Sequence, residues 1–256
     1  MKKLPIVTVL LSAITVIFSS CFSSRPAVQA ETKQTFSFDY TPKETNKSGA
    51  ANMLLAFVNP YYATEFTSGS GELFRSFRNA MQGDIQEVIV AKGFSLKGPF
   101  QEFGEMIFDD KKRTDMVILI EIAPAFTAQE GGWAAKYHMN LLSTSSSYYT
   151  YTYSGTASLV GKINLTGMEP LTGEKIWTKS VSIPGVENIS IKTTTEYTRQ
   201  LSATELMQDP GVYNALGKAL MVQYAGIMDK VTAYFSVDEF NSLKPQIKEL
   251  KSKKGY

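Results

Sequence analysis

The chain has few side chains of the kind that carry catalysis: one cysteine, Cys21, and one histidine, His138, in 256 residues. A metal centre needs several ligands and a nucleophilic triad needs a base beside its nucleophile, so these two residues support neither. The stretches TSGSGELF and LTGEK lack the glycine spacing of phosphate-binding loops. The sequence therefore predicts a protein that is not an enzyme and has no metal or cofactor, with a structural or surface role for His138.

Cys21 stands where a single thiol has a chemical use other than catalysis. Two lysines are the only charges before it, a largely apolar run covers residues 4–18, and two serines separate that run from the cysteine. This order is typical of a secretory signal, and the run is shorter than the roughly 20 apolar residues of a membrane span. It also resembles the lipobox of bacterial lipoproteins, where the chain is cut before a cysteine that is then acylated, although Phe18 stands where Leu or Val is usual. We therefore predict a signal peptide over residues 1–20 and lipid attachment at Cys21.

Two other interpretations of this region stay open. Val28-Gln29-Ala30 has the small–x–small form of a signal-peptidase site, and cleavage there would remove Cys21 and give a secreted protein that starts at Glu31. Alternatively, the apolar run is an uncleaved anchor and the cysteine is incidental. In each case the mature domain has no disulfide, so core packing has to stabilise it.

The charge balance argues against nucleic acid as a partner. Removing residues 1–20 takes away two lysines and no acidic residue, which lowers the formal side-chain charge from +2 to zero. A nucleic-acid-binding domain usually carries a clear basic excess. Residues 21–48, rich in Ser, Thr, Lys and Pro after the cysteine, predict a lipidated N-terminus and flexible tether, followed by a single domain over residues 49–256.

The first half of that domain alternates predicted strands and helices. FSFDY (36–40) is a candidate edge strand before it, and residues 52–60 predict a short buried strand. A helix near 72–91 follows, with Ser70 as its cap, and then the strand FSLKGPF and a short helix or turn, QEFGEMIFDDKK. Met116–Ile122 is almost continuously apolar, which indicates a strand buried on both faces. The order β-α-β-α-β predicts an α+β fold with a mixed sheet covered by helices.

The second half predicts an antiparallel meander followed by two helices that pack on the sheet. Residues 141–185 alternate with period two, and EPLTGEKIW carries a hairpin signal with Pro170 and Gly173 at the turn. Residues 186–208 are polar and are expected to contain a loop. Asp209 and the proline after it predict the start of a helix near 210–235. Ser236-x-x-Glu239 is a capping box for the last helix.

These features together resemble one known family. The LTGMEPLTGE hairpin and the closing helix pair that ends in IKELKSKKG are similar to the neuraminyllactose-binding haemagglutinins, adhesin lipoproteins also described as flagellar sheath adhesins. The similarity runs from about residue 50 to the end, and it resembles that of a diverged paralogue. It implies a lipoprotein of the outer membrane or flagellar sheath that binds sialylated host glycans, with the membrane and other envelope or sheath proteins as further partners. The alternative is a structural or partner-docking envelope lipoprotein without glycan binding.

Recognition of a sialylated glycan would need a cation for its carboxylate and aromatic rings for stacking. The family's proposed sialic-acid segment is a basic stretch after the central strand that begins Lys-Arg-Thr. Here Lys112-Arg113-Thr114 precedes that strand, so the motif is displaced or absent. We expect aromatic and basic groups to meet at one end of the sheet, with candidates Tyr149, Tyr151, Tyr153, Trp133, Lys111, Lys112 and Arg113. A Tyr- and Thr-rich strand with good cross-strand pairs and a solvated basic turn would explain the same residues.

Overall fold

The computed structural model describes residues 31–46, 49–66, 71–138, 148–195 and 203–253. The signal peptide, Cys21, the site after Ala30 and Ser70 lie outside these residues, so what was expected of the first three stays a prediction. One compact unit spans Lys33–Tyr256. Among its described helices, none is both long enough and apolar enough to cross a bilayer.

The described elements are six strands and five α-helices. The strands are β1 (Leu54–Val58), β2 (Tyr61–Tyr62), β3 (Ser95–Phe100), β4 (Met116–His138), β5 (Tyr148–Met168) and β6 (Lys175–Thr195). The helices are α1 (Glu72–Ala91), α2 (Phe108–Arg113), α3 (Ala203–Gln208), α4 (Pro210–Tyr234) and α5 (Val237–Lys253), with a 3-10 turn at Phe103–Glu105. The strands form one sheet in the order β3-β1-β4-β5-β6, and β2 pairs with β4.

The predicted α+β fold and its mixed sheet are confirmed. Strand β1 runs parallel to β3 and β4, whereas β4, β5 and β6 form an antiparallel meander. The interior strand expected at Met116–Ile122 lies between β1 and β5. Ile118 belongs to the main core, while Val117 belongs to a smaller cluster with Met106 on the opposite face. The apolar run is continuous because both faces of this strand are covered.

Both long predicted helices are present and pack on the main core. The buried residues of α1 recur every three or four positions and include Phe74, Phe77, Met81, Ile85 and Val88. Because that spacing puts them on one side of a helix, α1 can cover the sheet with a single apolar stripe. Its N-cap is Gly71, which makes no side-chain capping bond.

The predicted caps of the C-terminal helices are largely present. The Asp209 carboxylate accepts the backbone N–H groups of Gly211 at 2.9 Å and Val212 at 3.4 Å, and so caps α4. Ser236 Oγ accepts the N–H of Glu239 at 3.4 Å before α5. The carboxylate of Glu239 binds Trp177 Nε1 at 3.1 Å, so it ties α5 to β6 instead of closing the capping box.

The strands of the meander run further than predicted. Strand β4 continues past the expected Met116–Ile122 to His138, and β6 continues past residue 185 to Thr195. The loop expected within 186–208 does not lie in 186–195, which belong to β6, or in 203–208, which form α3. Residues between these two stretches lie outside the described part. The polar composition of ISIKTTT did not identify a strand, because Thr occurs in strands as well as in loops.

The segment before β1 is part of the folded unit. Phe36, Phe38 and Tyr40 are buried in the main core without forming a strand. The Phe38 ring lies 5.3 Å from the ring of Phe77 and 5.4 Å from that of Tyr224, so it fills the space between α1 and α4. The edge strand expected at 36–40 is therefore wrong, and the tether expected up to residue 48 does not include 33–46. The alternation of FSFDY reflects burial against helices.

A buried carboxylate links this segment to both helices. Asp84 on α1 accepts the Tyr224 hydroxyl at 2.5 Å, and it also accepts the backbone N–H of Tyr40. Burial raises the pKa of Asp84, and the nearby carboxylates of Asp39 and Glu87 raise it further, against the opposing effect of the two hydrogen bonds. The protonated form of Asp84 is therefore favoured by folding.

We expect this carboxylate to make stability fall as the pH rises. Its contribution is complete below the unfolded-state pKa of about 3.9 and is lost as the pH passes through the higher native pKa. The melting-temperature difference between wild type and Asp84→Asn should therefore shrink or change sign with rising pH. Asp109→Asn, which changes an exposed carboxylate, is the control for the loss of one negative charge. A pH-independent difference for Asp84→Asn would contradict the assignment.

Candidate functional site

The outer part of the β4–β5 ribbon carries stacked tyrosines. Tyr137 and Tyr149 are backbone-paired neighbours, with ring centroids 4.9 Å apart at 46°. The rings of Tyr149 and Tyr151 are 6.2 Å apart at 30°. Tyr149 is 50% exposed, and Tyr137 is similarly open to solvent. We call Tyr137, Tyr149 and Tyr151 the tyrosine face.

A β-bulge brings Tyr137 to that face. Up to Ala128, even-numbered positions of β4 pair with odd-numbered positions of β5, but after the register shift between Gln129 and Gly131 odd positions pair with odd. An extra residue in one strand reverses which side its later side chains occupy. Tyr137 was not among the predicted candidates, because alternation without the bulge places it on the other face.

Tyr153 does not extend the exposed cluster, and the structure leaves the other aromatic candidate, Trp133, untested. Tyr153 shares its side of β5 with the other candidates, but it is only 6% exposed and belongs to the main core. A ligand cannot reach a ring buried to that degree. Trp133 pairs with Tyr153 through its backbone, and its side chain lies outside the described part of the structure.

The basic candidates lie far from the tyrosines. Lys111, Lys112 and Arg113 end α2, immediately before β4 begins, whereas the tyrosine face pairs with the last residues of this 23-residue strand. At about 3.4 Å per residue, roughly 60 Å of strand separates them. Lys111 Nζ lies 4.3 Å from the centroid of the Phe103 ring. The expectation that these aromatic and basic groups meet at one end of the sheet is therefore wrong.

The tyrosine face is uncharged over its described positions. Lys136 is on the opposite side of the ribbon, as is His138, whose Nε2 lies 3.0 Å from Thr150 Oγ1. In the outer part of the ribbon, residues 131–138 of β4 and 148–155 of β5, no basic residue takes a position on the same side as Tyr149. This surface can therefore stack on sugar rings and exchange hydrogen bonds with hydroxyls, but it has no cation for a carboxylate.

A cleft of about 350 Å³ lies between the N-terminal segment, α1 and α4. Its charged groups already have protein partners: Lys43 Nζ lies 2.8 Å from the Asp229 carboxylate, and Lys92 Nζ lies 3.3 Å from that of Glu44. The Tyr40 hydroxyl donates to Asp229 at 2.9 Å. These hydrogen bonds lower the pKa of Asp229. These contacts attach the N-terminal segment to α1 and α4, and they leave the charged groups of the cleft already paired. Across the described residues, no group of three or more His, Cys, Asp or Glu is placed to hold a metal.

The fold is similar to that of a solved structure, although no protein-family model and no curated protein matches the chain. A neuraminyllactose-binding hemagglutinin homologue from Helicobacter pylori aligns with a TM-score of 0.52 at 15% identity, over 84% of this chain and all of that one. A Xanthomonas campestris protein aligns at 0.32 with 9% identity, over 79% of this chain and 96% of that one. A lipoprotein of Neisseria meningitidis aligns at 0.28 with 14% identity, over 65% and 99%. At these identities only the first alignment is informative, and what it shows is a shared fold.

Proposed function

We propose that this chain is a lipid-anchored, non-catalytic protein of the bacterial envelope that acts as an adhesin by binding glycans. The observation that carries the proposal is the tyrosine face, with three neighbouring rings of which two are about half exposed. Each ring brings apolar area and a hydroxyl at small conformational cost, which suits the apolar face and hydroxyls of a sugar. The fold shared with a hemagglutinin homologue supports the same class of function.

Lipid attachment allows weak glycan contacts to act together, because it holds many copies in one membrane. A single contact of this kind is expected to be millimolar, about −4 kcal/mol. Many copies held in one membrane raise the effective concentration, and the combined interaction becomes far stronger than each contact. The outer membrane, or the membrane sheath of a flagellum, is the location that this proposal implies.

We expect Cys21→Ser to move the protein from the membrane fraction to the soluble fraction. The thiol is the acceptor for the lipid in the proposed processing, and no described helix spans a bilayer. Mass spectrometry of the mature wild-type N-terminus should find an acylated Cys21. An unmodified chain that starts at Glu31 would refute the anchor and indicate a secreted protein.

We expect beads coated with the purified protein to capture sialyllactose-bearing cells through the tyrosine face. Tyr149→Ser with Tyr151→Ser should reduce capture about tenfold or more, because stacking area is lost at every copy. Tyr153 is left unchanged since it is buried. Phe108→Ser is the matched control, because Phe108 is 48% exposed on α2, the helix that precedes the far end of β4.

Sialidase treatment of the cells separates the possible outcomes. Capture that falls after treatment indicates a sialylated ligand, and capture that falls only in the tyrosine variant indicates stacking on a neutral sugar. Capture unchanged in both arms would refute this site. No capture by wild-type protein would favour the structural, partner-docking alternative.

One observation favours that alternative. Ile107 and Phe108 are exposed large apolar side chains at the start of α2, and Lys112 and Arg113 are exposed at its end. Such a mixed apolar and basic surface is typical of a protein contact site. It is nevertheless a small patch, and it carries less weight than the tyrosine face.

A further inference from the structure

A row of polar side chains crosses the sheet on the face away from α1 and α4. Tyr61 in β2 pairs with Glu121 in β4, Glu121 pairs with Asn164 in β5, and Asn164 pairs with Ser180 in β6. Paired residues project to the same face, so these four side chains form one line across four strands. With strands about 4.8 Å apart, the line is about 14 Å long, which is the length of two to three sugar rings.

Hydrogen bonds within the row hold these side chains in place. Asn164 Nδ2 donates to Glu121 Oε2 at 2.8 Å, and Ser180 Oγ donates to Asn164 Oδ1 at 3.1 Å. Each bond uses one polar atom, so Glu121 Oε1 and the second amide proton of Asn164 have no protein partner in the described part of the chain. A carboxylate oxygen beside an amide N–H can bind two neighbouring hydroxyls of one sugar. The fixed positions lower the entropic cost of binding.

A cation lies beside the row, and the Tyr61 ring forms one end of it. Lys162 is exposed and lies two residues before Asn164 on the same side of β5, about 7 Å away along the strand. It forms no ion pair with any described residue. Tyr61 is close to half exposed, and burial together with the Glu121 carboxylate raises the pKa of its hydroxyl, which stays a donor at neutral pH. Tyr62 points the other way and donates to the Phe74 carbonyl at 2.6 Å, which fixes the direction of Tyr61.

The same side of β5 carries further hydroxyls along its length. Its positions from 150 to 158 are serine or threonine, of which Ser158 is buried, the exposed Val160 lies between them and the row, and Thr166 follows Asn164. Thr127 Oγ1 and Ser158 Oγ lie 3.0 Å apart across the strands. Nothing here forms the apolar pocket that a peptide side chain would need, and one lysine beside one glutamate gives no basic excess for a nucleic acid.

We propose that this open face is a second glycan site, for an oligosaccharide that carries a carboxylate. Lys162 binds the carboxylate, Glu121 and Asn164 bind sugar hydroxyls, and Tyr61 stacks on a ring. This proposal rests on glycan binding as the proposed function and supplies the cation that the tyrosine face lacks. This site was not predicted from the sequence, because Glu121 stands within an apolar run and its neighbours on other strands are set by the strand register.

The test uses purified full-length protein in detergent on beads, with soluble polymers that carry either sialyllactose or lactose. Lys162→Gln should weaken binding of the sialyllactose polymer about tenfold or more and leave binding of the lactose polymer unchanged. Tyr61→Ala should weaken both. Lys136→Gln is the matched control, because Lys136 is an exposed lysine on the same face at the far end of the ribbon. Melting temperatures equal to wild type would exclude a folding defect.

Each outcome bears on one of the two proposals. If Lys162→Gln and Tyr61→Ala both bind the two polymers as strongly as wild type does, the open-face site is overturned. If only the tyrosine-face variant then loses polymer binding, the protein binds glycans but not at the open face. If wild-type protein binds neither polymer, glycan binding itself fails and this site fails with it. Loss of sialyllactose binding in Lys162→Gln but not in Lys136→Gln supports the site.

Discussion

Replacing Leu220 by alanine should lower the free energy of unfolding by about 2–5 kcal/mol. Leu220 lies in the middle of α4, is only 2% exposed and belongs to the main core. The variant loses the transfer free energy of the removed carbon atoms, and it leaves a cavity that its neighbours fill only in part. Urea or thermal unfolding of the purified domain measures the loss.

A second substitution in the same helix provides the control. Val222, two residues further along α4, is 79% exposed, so Val222→Ala should change the free energy of unfolding by about 0.5 kcal/mol or less. Both changes shorten an aliphatic side chain to alanine, and only burial differs. A loss below about 1 kcal/mol for Leu220→Ala would mean that this side of α4 does not pack on the sheet.

The helices and the central strand were predictable because each depends on local rules. Asp209 followed by proline fixes the start of α4 within one residue, since the carboxylate must reach the N–H groups of the first turn. Gly173 marks the hairpin between β5 and β6 because its φ of +72° suits glycine. The Met116–Ile122 run indicated an interior strand because a strand covered on both faces carries apolar side chains at consecutive positions.

The parts of the candidate sites that were missed depend on pairings between distant residues. The bulge near Gly131 decides whether Tyr137 meets Tyr149. The glycine pair there is compatible with a bulge, but it does not fix the residue at which the register shifts. The row through Glu121, Asn164 and Ser180 joins three strands whose mutual register the sequence does not reveal. Single-strand alternation identified Tyr149 and Tyr151 as one side of β5 but gave no information on what lay beside them.

The N-terminal segment was mistaken for a tether because its composition is polar, while its three aromatic rings are what the helices bury. Gly217 on α4 makes that burial possible. A Cβ added at Gly217 would overlap the Phe36 ring, whereas a Cβ added at Gly226, nine residues later in the same helix, would meet nothing within 4 Å. Both glycines lie in α4, and they differ in whether another side chain packs against them, so substitutions at the two positions can be compared directly.

We expect Gly217→Ala and Gly226→Ala to shift stability in opposite directions. Alanine favours a helix over glycine by about 1 kcal/mol, so Gly226→Ala should stabilise the domain. At Gly217 the same gain is opposed by an overpacking cost of about 1–3 kcal/mol, because Phe36 must leave its site or α4 must shift. Thermal unfolding gives the sign, and trypsin cleavage after Lys33 or Lys43 should become faster in Gly217→Ala alone. Equal stabilisation by both variants, with unchanged cleavage, would mean that residues 33–46 do not pack on α4. The proposed lipid anchor would then be joined to the domain through a longer free segment.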